Sequence, residues 1–279
     1  MDAVVFAAWL PHADRAPVFR KWFVTLSKWF SDCDLFVGIN PSPENKRALQ
    51  ICESCCKMFR SLTYSLVPAP QIVNSDVSGY QIALSLLAKS KIRYRIVWFV
   101  HTRGMSHSVH DAESNLETFT HQFLRHRVHG TKRLLMAKKA GTWSPYIAVQ
   151  DSTSYSKKDF SAFIKFQWPP LCMYHVFTFL AMKGELIQKF LKHCCPDFFS
   201  CNILAYTGNS SNRWFCEVFL GEIAWRQGFW PLWEKIVTLP HYKKSLDDEA
   251  LKKLIVIHQT KKDPRLLFAS YAISRPRFQ

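Results

Sequence analysis

The residues His101, Thr102, Arg103 and Gly104 close an apolar run, Ile96-Val97-Trp98-Phe99-Val100. A run that is apolar on both faces is the pattern of an inner strand of a parallel sheet. Where that strand ends, the chain supplies an imidazole, a hydroxyl, a permanent cation and a glycine. Ligands of open α/β sheets bind outside the carboxyl ends of the strands, so these side chains stand at the expected site. A guanidinium there suits phosphate oxygens, which it can meet with paired, charge-assisted hydrogen bonds. For proton transfer the best carboxylate is Glu217, set among Trp214, Phe215 and Phe219. Burial among rings raises a carboxyl group toward the range of a useful base.

Metal chemistry finds less support. Asp32-Cys33-Asp34 is an acidic pair, but it precedes a strand and would face the opposite rim, so it reads as helix-end capping and strand-start charge. Cys52, Cys55 and Cys56 resemble half of a zinc site, with His193, Cys194, Cys195 and Cys201 as a second half. The first cluster lies in a helical pattern without a glycine-rich knuckle, and its CxxC is not repeated, which favours idle or buried thiols. His107, His110 and Asp111 form only a short polar group. No metal ligand is assigned.

The elements that would position the site alternate. Strands are expected at Ala3 to Leu10, Asp34 to Asn40, Ser61 to Val67 and through the opening run. Between them fall helical patterns: Phe19 to Phe30, with its aromatic stripe, Glu44 to Phe59, and Tyr80 to Ala88, capped by Asp76 or Ser78. Such alternation describes βαβ units and a parallel sheet whose carboxyl ends share one rim. Trp9, Asn40, Asp76, His101, Thr102 and Arg103 converge there. Further on, Glu113 to Arg127 reads as an amphipathic helix, Tyr174 to Ala181 as a strand, and Gly184 to Cys194 and Trp214 to Arg226 as helices. A short helix, Asp247 to Ile257, precedes a basic tail.

Composition sets the outer bounds. The 279 residues carry a net charge of +16, which calls for an anionic partner. No stretch approaches the roughly 18 apolar residues of a membrane span, and no export signal is read at the start, so a cytoplasmic setting with reduced cysteines is expected. From Thr118 to Gln150 there is no acidic residue, while Arg125, Arg127, Lys132, Arg133, Lys138 and Lys139 accumulate. That stretch reads either as a solvated basic face or as a polyanion-binding edge.

The sequence resembles a family. An acidic residue opening a helix (Asp76-Val77-Ser78-Gly79), a strand ending in His101-Thr102-Arg103-Gly104, and the late block Gly208-Asn209 with Arg213 to Gly221 are similar to glycosyltransferases of surface-polysaccharide synthesis, the rhamnan-synthesis type. The resemblance runs from about Ala3 to Gly228. It implies a GT-A-like, Rossmann-like, mostly parallel α/β sheet flanked by helices, in one domain (1–232) with a basic C-terminal extension (233–279). It further implies a nucleotide-sugar donor held by Trp9, Asn40, Asp76, His101, Thr102 and Arg103, and a glycan or lipid-linked acceptor met by Asn209, Arg213 and Trp214. Glu217 is the expected base and Asp76 the second carboxylate, nearer the donor's ribose or sugar. The family's metal-binding Asp-x-Asp after the fourth strand is missing, so Arg103 takes the diphosphate charge while a divalent cation, Mg or Mn, stays open. Peripheral contact with an anionic membrane fits such acceptors. The competing readings are a basic nucleic-acid-binding protein without catalysis and a catalytically silent scaffold of the same fold.

Overall fold

A computed structural model describes residues 1–67, 76–151, 171–193, 220–221, 223–224 and 227–236. Strands β1 (Asp2–Trp9), β2 (Asp34–Asn40), β3 (Ser61–Leu66) and β4 (Ile96–His101) pair in parallel, in the order β3-β2-β1-β4. Helices α1 (Ala16–Phe30), α2 (Asn45–Cys55) and α3 (Asp76–Lys89) fall between them. After β4 come α4 (Val109–Gln122), α5 (Arg127–Met136), β5 (Ala140–Asp151), β6 (Leu171–His175), β7 (Leu180–Lys183), α6 (Gly184–His193) and β8 (Trp230–Ile236). The sheet continues from β4 through β7, β5 and β6, and β8 lies parallel to β5. β7 runs antiparallel to β4 and β5, so the sheet is parallel in its first half and mixed in its second. The expected α/β class holds.

Period-two alternation explains why this sheet needs helices on both sides. Val4, Phe6 and Ala8 of β1, with Ile96, Trp98 and Val100 of β4, belong to one buried core together with Phe19, Trp22 and Phe23 of α1 and Phe119 of α4. Ala3, Val5, Ala7, Val97 and Phe99 point the other way, into a second core built with α3 and α6. The aromatic stripe expected on α1 meets β1 through Phe6, whose ring centroid is 6.1 Å from Trp22 and 5.6 Å from Phe23. Trp98 lies 5.2 Å from Phe179 and 5.9 Å from Trp143, so β4 is also the centre of the aromatic core.

The chain departs from expectation at several points in its elements. α3 begins at Asp76, so Ser78 is a buried residue of its first turn and not its cap. The helix expected over Glu113 to Arg127 starts earlier and ends at Gln122, because Ser108 caps it by accepting from the Asp111 N–H at 3.1 Å and the chain turns at Phe123. The single strand expected over Tyr174 to Ala181 is two, β6 and β7, separated by a turn in which Phe177 and Thr178 take φ values of 61° and 53°. β8 (Trp230–Ile236), beside β5, carries the sheet to residue 236. The expected helices at 214–226 and 247–257 and the basic tail lie largely outside the described residues, although 220, 221, 223 and 224 are helical.

Asp32 and Asp34 stand at the amino end of β2, away from the site, and both are occupied. Asp32 accepts from Arg127 at 2.8 and 3.1 Å, and although partial burial works to raise it, that pairing leaves its carboxyl below the usual value. Asp34, buried, accepts from Arg60, from Ser61 at 2.6 Å and from the Tyr94 hydroxyl at 2.7 Å. Burial, followed by the bond to Asp34, pushes the Tyr94 phenol up to about 12. Cys52 and Cys55 are buried free thiols, and burial also pushes Cys52 up.

His175, at the end of β6, is fully buried, and burial alone pushes its imidazole down to about 4. A Cβ on Gly221 would run into its ring. Because the folded value lies below the ordinary 6.5, the unfolded chain binds the extra proton between these values. Stability is therefore present in full above about pH 6.5 and is lost as pH falls toward 4, by about 2 kcal/mol at pH 5. Urea unfolding of the parent and of His175→Phe at pH 7 and pH 5 checks this: the variant should lose less stability than the parent on acidification, and equal losses would remove His175 as the cause.

Candidate functional site

The parallel strands deliver their ends to one rim by register. Trp9 pairs with Asn40 across β1 and β2, and Ala7 pairs with His101 across β1 and β4. Thr102 then latches the two loops: its N–H donates to the Ala7 carbonyl at 3.0 Å, and its Oγ1 accepts from the Trp9 N–H at 3.1 Å. Asn40, His101 and Thr102 are all buried. Five of the residues expected at the site therefore come together: Trp9, Asn40, His101, Thr102 and Arg103.

They do not all face the same way. By alternation His101 belongs to the α3 side of the sheet, where its ring centroid lies 6.5 Å from that of Tyr80. Its Nδ1–H donates to the Thr102 carbonyl at 3.0 Å, which fixes the ring and the start of the loop. Arg103 lies on the other side. Its guanidinium carbon sits 3.3 Å from the centroid of the Phe177 ring, and Phe177 packs against Phe123, 5.2 Å away, at the margin of the α1/α4 core. Stacking occupies the face of the guanidinium, and a stacked guanidinium donates in its own plane.

Phe177 was not legible as a site residue. It sits in the turn between β6 and β7, and both it and Thr178 adopt left-handed backbone that bulky or β-branched residues seldom take. Ser144 steadies the segment that follows by donating to the Phe179 carbonyl at 2.8 Å. A strained turn held by its surroundings is a recurring feature of ligand sites. A phenylalanine in a run as apolar as Val176-Phe177-Thr178-Phe179 carries no signal of this in the sequence.

An arginine follows each of three strands that end at this rim, β1, β2 and β4. Arg15, after β1, donates from Nε to the His107 carbonyl at 2.8 Å, and so ties the first loop to the fourth. Arg47, early in α2, donates to the Ala13 carbonyl at 3.2 Å and ties the second loop to the first. Asp14 and Glu44 pair with these two. Arg15 and Arg47 brace the rim, with their charge balanced by these two carboxylates.

Glycines set how closely the parts approach. A Cβ on Gly79 would come within 2.8 Å of the Ala7 Cβ, and one on Gly38 would overlap the Gly79 carbonyl. The first turn of α3 thus lies against the ends of β1 and β2, bringing the positive end of its dipole to the same rim. Of Asp76 itself, the backbone position at the start of this helix is described.

Gly104, the last residue of the run, has φ 72°, and a Cβ there would stand 2.6 Å from Asn115 Nδ2. Gly104→Ala should cost about 1–2 kcal/mol for the left-handed backbone alone. A denaturant titration checks it, and a loss under about half a kcal/mol would mean the loop relaxes without strain.

The expected acceptor residues Asn209, Arg213 and Trp214, and the expected base Glu217, lie outside the described residues. Among the described residues no group of three or more His, Cys, Asp or Glu could hold a metal ion. No described helix is long and apolar enough to cross a membrane.

No family model matches the chain, and no curated protein matches its sequence. Among solved structures it is similar to a 4-diphosphocytidyl-2C-methyl-D-erythritol synthase from Anaerococcus prevotii DSM 20548, at 12% identity and a TM-score of 0.37, over 92% of this chain and 97% of that one. So distant a likeness carries no inference about chemistry, which rests on the residues at the rim.

Proposed function

We propose that the chain is a glycosyltransferase that takes a sugar from a nucleotide-sugar donor and passes it to a glycan or lipid-linked acceptor. The observation that carries this reading is Arg103, stacked on Phe177 past the carboxyl end of β4, on the rim where β1 and β2 end in Trp9 and Asn40. A departing nucleoside diphosphate develops negative charge, and a fixed guanidinium stabilises it without reorganising. Phe177 holds the guanidinium plane, and His101 and Thr102 set the loop from which it extends. Asn40 and Trp9 are the proposed contacts to the base and ribose. Asp76, at the start of α3, is the proposed contact to the ribose or sugar.

Glu217 is the proposed base for the acceptor hydroxyl, with Asn209, Arg213 and Trp214 meeting the acceptor. Glu217→Gln is expected to lower turnover by a factor of about 100 or more while donor binding persists. Near-parental turnover would take Glu217 out of the mechanism. Arg103 serves the diphosphate whether or not a divalent cation joins it. Activity that survives a chelator assigns the charge to Arg103, and activity abolished by the chelator and restored by Mg or Mn assigns part of it to the metal.

A panel of nucleotide sugars screened for thermal stabilisation tests the reading as a whole, since a ligand that binds the folded state raises Tm by mass action. The matching donor should raise Tm in the parent and fail to do so in Arg103→Ala. No shift from any donor, together with salt-sensitive binding to generic oligonucleotides, would favour a nucleic-acid-binding protein instead.

A further inference from the structure

We infer that the outer face of α5 is a docking surface for an anionic lipid bilayer. This inference does not depend on the transferase reading. The residues of α5 and its flanks that face outward are Arg125, Val128, His129, Lys132, Leu135, Met136 and Lys139. Their spacing of three and four makes one continuous helical stripe. Val128 is 72% exposed, Met136 73% and Leu135 39%, and they account for three of the five large hydrophobic side chains that the described residues leave exposed. They alternate along the stripe with Arg125, Lys132 and Lys139, and Lys138 stands exposed beside them.

The inner face of the helix is already satisfied. Gly130 sits flat on the Trp143 indole, where a Cβ would not fit, and Leu134 is buried. The aliphatic side chains outside are therefore not the overflow of a core that needs them. Charge on this surface is one-sided. From Thr118 to Gln150 the sequence has no carboxylate, and two acids of other described elements reach the helix: Asp32 is taken by Arg127, and Glu234 by Arg133 at 2.6 Å, by the Trp143 N–H at 2.8 Å and by His129 at 3.2 Å. Partial burial works to raise the Glu234 carboxyl, but these bonds leave it below the ordinary value. Among the described residues no carboxylate pairs with Lys132, Lys138, Lys139 or Arg125, whose Nε donates to His126 at 3.2 Å.

Aliphatic side chains interleaved with lysines on one helical face match the interfacial zone of a bilayer, where the apolar groups enter the acyl boundary and the cations meet acidic headgroups. A single-stranded nucleic acid would instead call for exposed Phe, Tyr or Trp rings to stack its bases, and this stripe has none. The placement is also distinct from the candidate site. Arg127, at the start of α5, reaches the Trp29 carbonyl and Asp32 beside the amino end of β2. Lys183, paired with the first residue of β4, reaches the Ala137 and Lys138 carbonyls at 3.0 and 3.1 Å just past its end. The helix lies along the amino-terminal rim, so a docked protein presents the opposite, carboxyl rim to solution.

Sedimentation of the full chain with vesicles tests this, using phosphatidylcholine alone and phosphatidylcholine with about one-third phosphatidylserine, at about 0.1 M salt. The parent should partition at least about tenfold more strongly onto the acidic vesicles, and K132Q/K138Q/K139Q should lose about a hundredfold. V128S/L135S/M136S, which keeps every charge, should lose at least about tenfold. Both variants change exposed positions, so their Tm should stay near the parent's. Equal partitioning onto both vesicle types overturns the inference. So does parental binding by the aliphatic variant, and so does binding to a single-stranded oligonucleotide that the lysine variant loses while vesicles are not bound. Loss of donor binding in Arg103→Ala bears only on the transferase reading and should leave vesicle binding unchanged.

Discussion

Replacing Arg103 with alanine is expected to lower sugar transfer by a factor of about 100 to 1,000, the scale on which one preorganised charge donor acts on a developing anion. Unfolding free energy should fall by about 1 kcal/mol, the scale of the stacking contact with Phe177 that the substitution removes. Arg103→Lys separates charge from shape. An ammonium keeps the charge but neither lies flat on a ring nor offers a planar fork, so lysine should recover only part of the activity. Steady-state kinetics with the donor found by thermal screening, beside urea titrations of the same variants, provide the measurement. Full activity in Arg103→Ala would remove the guanidinium from the mechanism and leave it as a prop for the turn after β6.

Gly38→Ala is the second large effect, and it acts through the fold. The new methyl group would overlap the Gly79 carbonyl and lie 3.0 Å from the Ala83 N–H nitrogen, both of them backbone of α3. Neither can swing aside as a side-chain tip could, so the whole helix must lift from β1 and β2. Overpacking of this kind costs about 3 kcal/mol. Lifting α3 also withdraws its first turn, with Asp76, from the rim. Gly38→Ala should therefore weaken donor binding as well as stability, whereas Gly104→Ala strains one loop. Denaturant unfolding and donor titration on the two variants distinguish these outcomes. A Gly38→Ala protein as stable as the parent would mean that the α3–β2 contact is looser than its geometry shows.

The parallel half of the sheet was written plainly in the sequence. β1, β2 and β4 are apolar on both faces, which a helix cannot use at that length, β3 alternates, and prolines or polar residues bound them, so the elements through β4 could be read nearly to their ends. Register then followed, since parallel strands with short helical crossovers bring Trp9, Asn40 and His101 to one rim. The second half was harder for a physical reason. Phe123 and Leu124 continue the apolar stripe of α4 although the helix stops before them, and Val176 to Phe179 are as apolar as the strands on either side although the chain turns there. Hydrophobic pattern reports burial and not direction. The long strand β5, which lies in the acid-free stretch up to its last residue, Asp151, gave no strand signal separable from its basic flank.

By itself, then, the sequence determined the α/β class, the four parallel strands, the rim on which a ligand would sit, and the positive charge that such a ligand would meet. These follow from local periodicity and composition, which act along the chain. Only the tertiary structure decided that His101 and Arg103 turn to opposite sides of the sheet and that Phe177, 74 residues on from Arg103, lies beneath its guanidinium. It likewise decided that Gly38 must be a glycine because α3 crosses it. Those are contacts between segments distant along the chain, and no local pattern encodes which of them will meet.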